Sequence, residues 1–394
     1  MSSNGRIVIV GAGEAGIAAA SAIREDGYEG EVVIVNDEPV PPYERPPLSK
    51  EMLYEGEAAV RPIQPQEWYE DNRIQLLSDT RVTGIDASAD TVTLESKGEV
   101  ASLSYDKLMF ATGARARRLP QPTEGLYYLR TFNDCLSLHG KIESLDKIAI
   151  VGGGIIGLEV ASFLSAQGKQ VTVLDMADRL MSRAVTPEVS DFLLDLHQRN
   201  GVEFRLGEKV NCTEKGVELG DGSFLEADLV LVAIGVSPNS ELAEAAGCAT
   251  DDGIVVDECG RTTVEGLFAA GDVARFPHPS YARPMRVESW QHAGRHGAHV
   301  GRAMLGIDDG YREVPWFWTD QYDVNLQVVG LSETADLTLW RDSPNGRTAL
   351  HFADGQLVAA TTINNGRDIR PLTSENGGAK LDHGSAVVLA VRAA

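Results

Sequence analysis

Twice in this chain a short apolar run breaks into glycines spaced G-x-G-x-x-G, and nothing else in the sequence constrains the fold as strongly. The first copy is residues 6–16, RIVIVGAGEAG. It reads as a buried strand, a tight turn and a helix start. Gly11 permits the turn, Gly13 lets backbone approach a pyrophosphate, and Gly16 lets the helix pack on the strand. The N–H groups of the helix start, around Ala15, face the phosphates. A helical pattern over 15–23 and a second strand over 31–35 follow. That strand ends in Asn36, Asp37 and Glu38, where a ribose-binding carboxylate is expected. The second copy, residues 147–159 (KIAIVGGGIIGLE), repeats the device with Gly152, Gly154 and Gly157, and a helix from Ile155 and Ile156 onward. Its second strand, 170–174, ends at Asp175. Two copies imply two dinucleotides. A carboxylate at Asp175 accepts from an adenosine 2′-hydroxyl and repels a 2′-phosphate, which favours NADH over NADPH, while the nearby Arg179 and Arg183 keep NADPH open.

A chain of 394 residues exceeds what one core usually supports, so two or three domains are expected. Hydrophobic residues at 43%, aromatics at only 6% and 40 glycines suit an α/β protein rich in strand-to-helix turns. The net charge of −23 argues against nucleic acid and anionic membrane as default partners. Basic side chains concentrate over 283–302, with His292, Arg295, His296 and His299, and over 115–118. Each stretch reads equally as a local docking patch or as a solvated face. The cysteines, Cys135, Cys212, Cys248 and Cys259, form no metal-ligand or redox spacing and read as buried free thiols in a reducing compartment. A first strand at Arg6 leaves no room for a signal peptide, and no apolar run approaches the length of a membrane span, so a cytoplasmic location is expected.

Residues 39–50, PVPPYERPPLSK, hold five prolines and fit a stiff extended loop that delivers Arg45 and Lys50 at fixed places, with Ser49 capping a short helix. The apolar run 107–111 ends in Ala111-Thr112-Gly113, and 115–120 reads as the exit from a first domain. A strongly apolar strand over 228–235 ends at Gly235. From Thr263 the chain reads TTVEGLFAAGDVA, an apolar strand running into Gly271-Asp272. Asp272 suits either a helix N-cap or a hydroxyl of a cofactor's ribityl chain. A helix over 287–305 returns the chain to its first domain. After residue 314 the pattern changes to β, over 324–331, 337–341, 347–352 and 357–363, with turns at Pro344-Asn-Gly and Asp354-Gly.

Together GAGEAG, PPYERPPLSK, ATGARAR, GGGIIGLE, EGLFAAGDVA, ESW and PWFWTDQYD resemble the NADH:ferredoxin reductases of bacterial ring-hydroxylating oxygenase systems, and equally putidaredoxin reductase, rubredoxin reductase and apoptosis-inducing factor. The likeness runs from about residue 5 to 365. It implies an α/β fold with two Rossmann-like dinucleotide-binding domains, the second inserted in the first, plus a small C-terminal α+β domain. The FAD domain would span 1–113 and 246–310, the NAD domain 114–245 and the C-terminal domain 311–394. By position, Asp37 would bind the adenosine ribose. Arg45, Lys50, Val82, Ala111, Thr112, Gly113, Arg130, Gly271 and Asp272 would line the FAD site, with Trp290 and Trp318 bordering the isoalloxazine or serving as plain core aromatics. Gly152, Gly154, Ile155, Ile156, Gly157, Asp175, Arg183 and Gly235 would hold NAD, and Glu159 would reach the nicotinamide and pair with Lys50. Lys50 and Glu159 would be the catalytic pair, and no metal is implied.

Related disulfide reductases carry a cysteine pair beside the flavin, and peroxidase or oxidase relatives a single cysteine matching Pro42–Tyr43; this chain has neither. Electrons would therefore leave to an outside acceptor, which the resemblance implies to be a [2Fe–2S] ferredoxin met by a monomer or homodimer. A rubredoxin or P450-ferredoxin reductase is the alternative enzyme, and an NADH-sensing scaffold like apoptosis-inducing factor the alternative of another class. Three features depart from the family pattern: Glu14 inside the first phosphate loop, an Asp rather than a Glu at 175, and a short tail after Gly366.

Overall fold

RIVIV and EVVIV are β-branched runs, and such runs form strands that are buried on both faces of parallel sheets. In the structure, a computed structural model that describes residues 5–120, 124–281, 283–307, 309–344 and 346–369, they are the paired parallel strands Arg6–Val10 and Glu31–Val35, with Arg6 opposite Glu31. The chain divides into two units: Met1–Arg45, Val60–Arg115 and Ser237–Glu313 form the first, and Pro46–Ala59, Ala116–Val236 and Val314–Ala394 the second.

The first unit is built on a five-stranded parallel sheet in the order Leu267–Ala269, Lys107–Phe110, Arg6–Val10, Glu31–Val35, Ile74–Leu77. Alternate side chains of one strand supply two cores. Ile7, Ile9, Val32 and Ile34 pack with Ala19, Ile23, Val300 and Met304 of the helices Glu14–Glu25 and Trp290–Met304. Val8, Val10, Val33 and Val35 pack on the other face with Val82, Val92 and Leu94 of an antiparallel meander, Arg81–Asp86, Thr91–Ser96 and Glu99–Ser104.

The second unit repeats the plan. Its parallel sheet runs Glu203–Leu206, Gln170–Asp175, Lys147–Val151, Leu229–Val232, Leu126–Tyr127, with helices Ile155–Ala166 and Pro187–Arg199. From Trp316 the chain forms a five-stranded antiparallel sheet ordered Trp316–Gln321, Val324–Gly330, Gln356–Ile363, Gly346–Ala353, Leu337–Ser343. One of its hairpins turns at Asp354-Gly355, both at positive φ, 48° and 73°, as the Asp-Gly pair predicts. Leu326, Val328 and Ile363 of this sheet pack against Leu180, Val189 and Leu193. Apart from one 3-10 turn at Gly366–Asp368, the described residues from Trp316 onward form strands and turns; the tail from residue 370 lies outside the described residues.

Ser49 does not cap a helix. It ends a 3-10 turn, Pro46–Ser49, and its hydroxyl is committed elsewhere, while Lys50 takes the N-cap position of the helix Glu51–Glu55 without a side-chain cap bond. All four cysteines are buried free thiols. Among the described residues no helix is long and apolar enough to cross a membrane.

Candidate functional site

Both glycine loops have the same steric logic. Gly11 sits at φ 111°, and a Cβ there would lie 2.3 Å from the carbonyl oxygen of Ala111; one on Gly16 would lie 2.1 Å from that of Gly11. In the second loop Gly152 sits at φ 119°, 2.2 Å from Ala233 O on the same measure, and Gly157 is 2.0 Å from Gly152 O. The middle glycines differ: a Cβ on Gly13 or Gly154 would meet nothing within 4 Å. The outer glycines are thus required by the protein's own backbone, whereas the middle ones border open space at a helix N-terminus, the place a pyrophosphate needs. Each unit accordingly fits one dinucleotide.

In the first unit Ala111-Thr112-Gly113 is tied to Asn239: Thr112 Oγ1 donates to Asn239 O at 2.7 Å and Asn239 Nδ2 to Thr112 O at 2.8 Å. Gly271, at φ 75°, packs on the helix start so closely that a Cβ would lie 2.8 Å from Ala15 Cβ, and its N–H donates to His296 Nδ1. Asp272 lies inside the 3-10 turn Gly271–Val273 and is not its N-cap, which is Ala270. Arg45 pairs with Glu38 at 2.9 Å and stacks over Tyr43. Burial alone would lower its guanidinium, but Tyr43, Glu38 and Asp272 together hold it above its usual value. Asp37 is largely exposed, 3.6 Å from Arg81 Nη2; Val82, the next residue after Arg81, is buried in the core. Trp290 opens the helix Trp290–Met304 and is half-buried.

Two residues of the expected basic patch are internal. His292 and His296 are buried against Phe276 and Tyr311, and burial drives both imidazoles to the neutral form, His292 to about 3. The periodicity of the helix turns their face inward. Arg295, paired with Glu313, and the exposed Arg283 remain outside.

The second unit holds the expected catalytic pair. Lys50 Nζ lies 3.4 Å from Glu159 Oε1 and 3.0 Å from Asp320 Oδ2. Glu159 is only 5% exposed, and its carboxylate also accepts from Ser49 Oγ at 2.5 Å and Thr319 Oγ1 at 2.8 Å. Burial would lower the Lys50 ammonium, yet the two carboxylates hold it above the usual lysine value. Burial pushes Glu159 up, against the pull of Lys50 and the two hydroxyls. Asp320, half-exposed and held by Asn325 Nδ2 at 2.6 Å, is lowered despite its burial. The result is a fixed cation with two acidic neighbours.

Asp175 ends its strand with both oxygens engaged, accepting from Gly153 N at 2.6 Å and Ala177 N at 2.8 Å. Arg179 turns into its own loop, donating to Val185 O at 2.8 Å and Ser182 O at 2.6 Å. Arg183 is exposed, with its guanidinium over Gly235. Ile155 and Ile156 open the helix that carries Glu159, and Ile156 is 41% exposed. Arg130, half-buried, precedes the helix Phe132–Ile142. Trp318 stacks on Trp316 at 5.7 Å. Sequence reasoning missed Asp320, Ser49 and Thr319 as members of this site. One signal was available: in WFWTDQ the polar Thr319 and Gln321 occupy one face of a strand, where an inward apolar residue would be normal, and both are buried.

The model of the pyridine nucleotide-disulphide oxidoreductases matches residues 5–297, and that of the reductase C-terminal domain matches 316–374. The anthranilate 1,2-dioxygenase system ferredoxin--NAD(+) reductase component of Burkholderia cepacia is 39% identical over 376 residues, covering 92% of this chain and 91% of that protein. Rhodocoxin reductase of Rhodococcus erythropolis is 38% identical over 374 residues, covering 92% and 87%. Among solved structures, the covalent putidaredoxin reductase–putidaredoxin complex matches with a TM-score of 0.91 and 33% identity, covering 99% of both chains. With the duplicated glycine loops in parallel sheets and this extent of likeness, the chain belongs to the pyridine nucleotide-disulphide oxidoreductase family.

Proposed function

We propose that this protein is an FAD-dependent NADH:ferredoxin reductase that supplies single electrons to a [2Fe–2S] ferredoxin serving an oxygenase. The observation that carries the reading is the partly buried Lys50 paired with the buried Glu159 and bracketed by Asp320, in the unit that also contains the second dinucleotide loop. Bound FAD would take electron pairs from NADH and release them singly. On this reading the first unit holds FAD, with Gly11, Gly13 and Gly16 at the pyrophosphate, Asp37 at the ribose and Asp272 at the ribityl chain. The second holds NADH, with Gly152, Gly154 and Gly157 at the pyrophosphate and Asp175 at the ribose. Arg179, tied to backbone carbonyls, is not free to receive a 2′-phosphate, which supports NADH over NADPH. Lys50 places a fixed positive charge where negative charge develops, and Glu159 keeps that ammonium in place. The nearest cysteine to the Pro-rich loop in sequence, Cys135, is buried with its thiol pushed up to about 12, unsuited to a thiolate relay. An external acceptor is therefore favoured, and a flavin's ability to release electrons singly suits an iron–sulfur partner. Docking falls to exposed arginines such as Arg283.

The test is anaerobic stopped-flow reduction of the flavin-loaded protein by NADH, followed by mixing with a panel of [2Fe–2S] ferredoxins and a rubredoxin. Fast bleaching and fast transfer to a ferredoxin are expected. Slow bleaching with no competent acceptor would overturn the reading. Lys50→Ala should retain flavin but slow its reduction by roughly a hundredfold to a thousandfold, the scale of one lost electrostatic stabiliser; an unchanged rate would remove Lys50 from the mechanism.

A further inference from the structure

Glu159 is the end of a polar chain that continues well past Lys50. Thr319 Oγ1, which donates to Glu159, accepts from Gln321 Nε2 at 3.1 Å, and Gln321 Oε1 meets His197 Nε2 at 2.8 Å. On the far side of the ring, Tyr322 OH lies 3.4 Å from His197 Nδ1 and 2.8 Å from Ser165 Oγ. Thr319, Gln321 and His197 are all at most 1% exposed. In such a chain the carboxylate fixes every orientation. An ionised Glu159 can only accept, so Thr319 must donate to it, Gln321 must turn its amide NH₂ to Thr319, and its carbonyl then requires an N–H from His197 Nε2. The edges of Phe204 and Tyr322 crowd the imidazole, and burial holds it neutral, which suits that single tautomer.

We infer that His197 is a positioning residue for the Lys50–Glu159 pair, acting through Gln321 and Thr319. The inference rests on the reductase reading of that pair. With the imidazole N–H gone, the Gln321 carbonyl loses its donor and only Thr319 still holds the amide in its present sense, so the amide is freer to flip. A flipped amide turns its carbonyl toward Thr319, which then donates to Gln321 instead of Glu159, and the carboxylate loses one donor. The charged group facing Glu159 is Lys50, itself held by Asp320; the groups facing His197 are the uncharged Gln321, Tyr322 and Phe204.

The experiment uses the flavin-loaded protein as wild type, His197→Leu, His197→Gln and His197→Asn. Two readouts are taken: the pH profile of flavin reduction by NADH, and the protonation of Glu159 by infrared difference spectroscopy against Glu159→Gln. Loss of a donor should slow reduction about tenfold and move the Glu159 titration upward by about one pH unit, the scale of one hydrogen bond to a charged group. Gln can present an N–H near the Nε2 position and should restore both; Asn is too short and should not. Should His197→Leu fail to fold, the Gln and Asn pair decides the matter alone. Equal rates and equal titrations across the variants would overturn the inference, as would Gln behaving like Asn. If wild-type flavin is not reduced by NADH at all, the reductase reading fails, and the infrared arm still reports whether His197 governs Glu159.

Discussion

Glu14 places a carboxyl at the first turn of a helix whose N-terminus would face a pyrophosphate. Its Oε2 is buried with no hydrogen-bond partner, and its Oε1 fills the space where a Cβ on Gly294 would lie. Burial, helped by Glu44, pushes it up to about 7, so burial outweighs the favourable helix dipole. Because the folded value lies above the unfolded one of 4.5, the folded state binds the proton more tightly. The stabilisation is full below about pH 4.5 and is lost as pH rises through about 7. Urea denaturation of the wild-type apoprotein should therefore give a stability that falls by ~1–2 kcal/mol between about pH 5 and pH 8, discounted for partial exposure. Glu14→Gln should flatten that slope, and parallel slopes for the two proteins would show that other groups set it. The sequence revealed the misplaced charge; the way it is tolerated, by protonation, depends on Gly294 and Glu44, which only the fold brings near.

At the scale of elements, the helices Glu14–Glu25 and Trp290–Met304 approach through small residues. A Cβ on Gly297 would lie 2.2 Å from Ala15 O, and one on Gly301 would lie 2.7 Å from Ala19 O. Gly297→Ala must push two backbones apart and should cost about 2–3 kcal/mol. Gly140, in the helix Phe132–Ile142, meets nothing within 4 Å, so Gly140→Ala should stabilise by about 0.5–1 kcal/mol through helix propensity. Chemical denaturation of both variants checks the pair, and similar changes in the two would refute the close-packing account. Strand and helix positions were largely legible because β-branched runs and glycine turns act locally. The inward face of the helix at 290–304 was not: His292 and His296 look like surface charges until Phe276 and Tyr311, distant in sequence, cover them.

For the whole molecule, the duplication predicts separable losses. Gly13 and Gly154 both border open space at ordinary φ, −72° and −85°, so an aspartate is sterically accepted at either and adds only a charge opposed to a pyrophosphate. Gly13→Asp should lose flavin, measured by absorbance after gel filtration. Gly154→Asp should keep flavin and raise the KM for NADH at least tenfold, on the order of 1.4 kcal/mol of lost binding. If both variants lost flavin alike, the assignment of one cofactor to each unit would fall. The sequence by itself determined the two dinucleotide-binding sheets, because turn sterics and strand patterning are properties of short segments, whereas Lys50 and Glu159 became a candidate pair only through the family resemblance. Only the tertiary structure decided what surrounds that pair. Ser49 and Glu159 are 110 positions apart, Lys50 and Asp320 are 270 apart, and His197 is 124 from Gln321. No local rule links residues so separated; they meet because a buried carboxylate must be supplied with donors from whatever elements the fold packs around it.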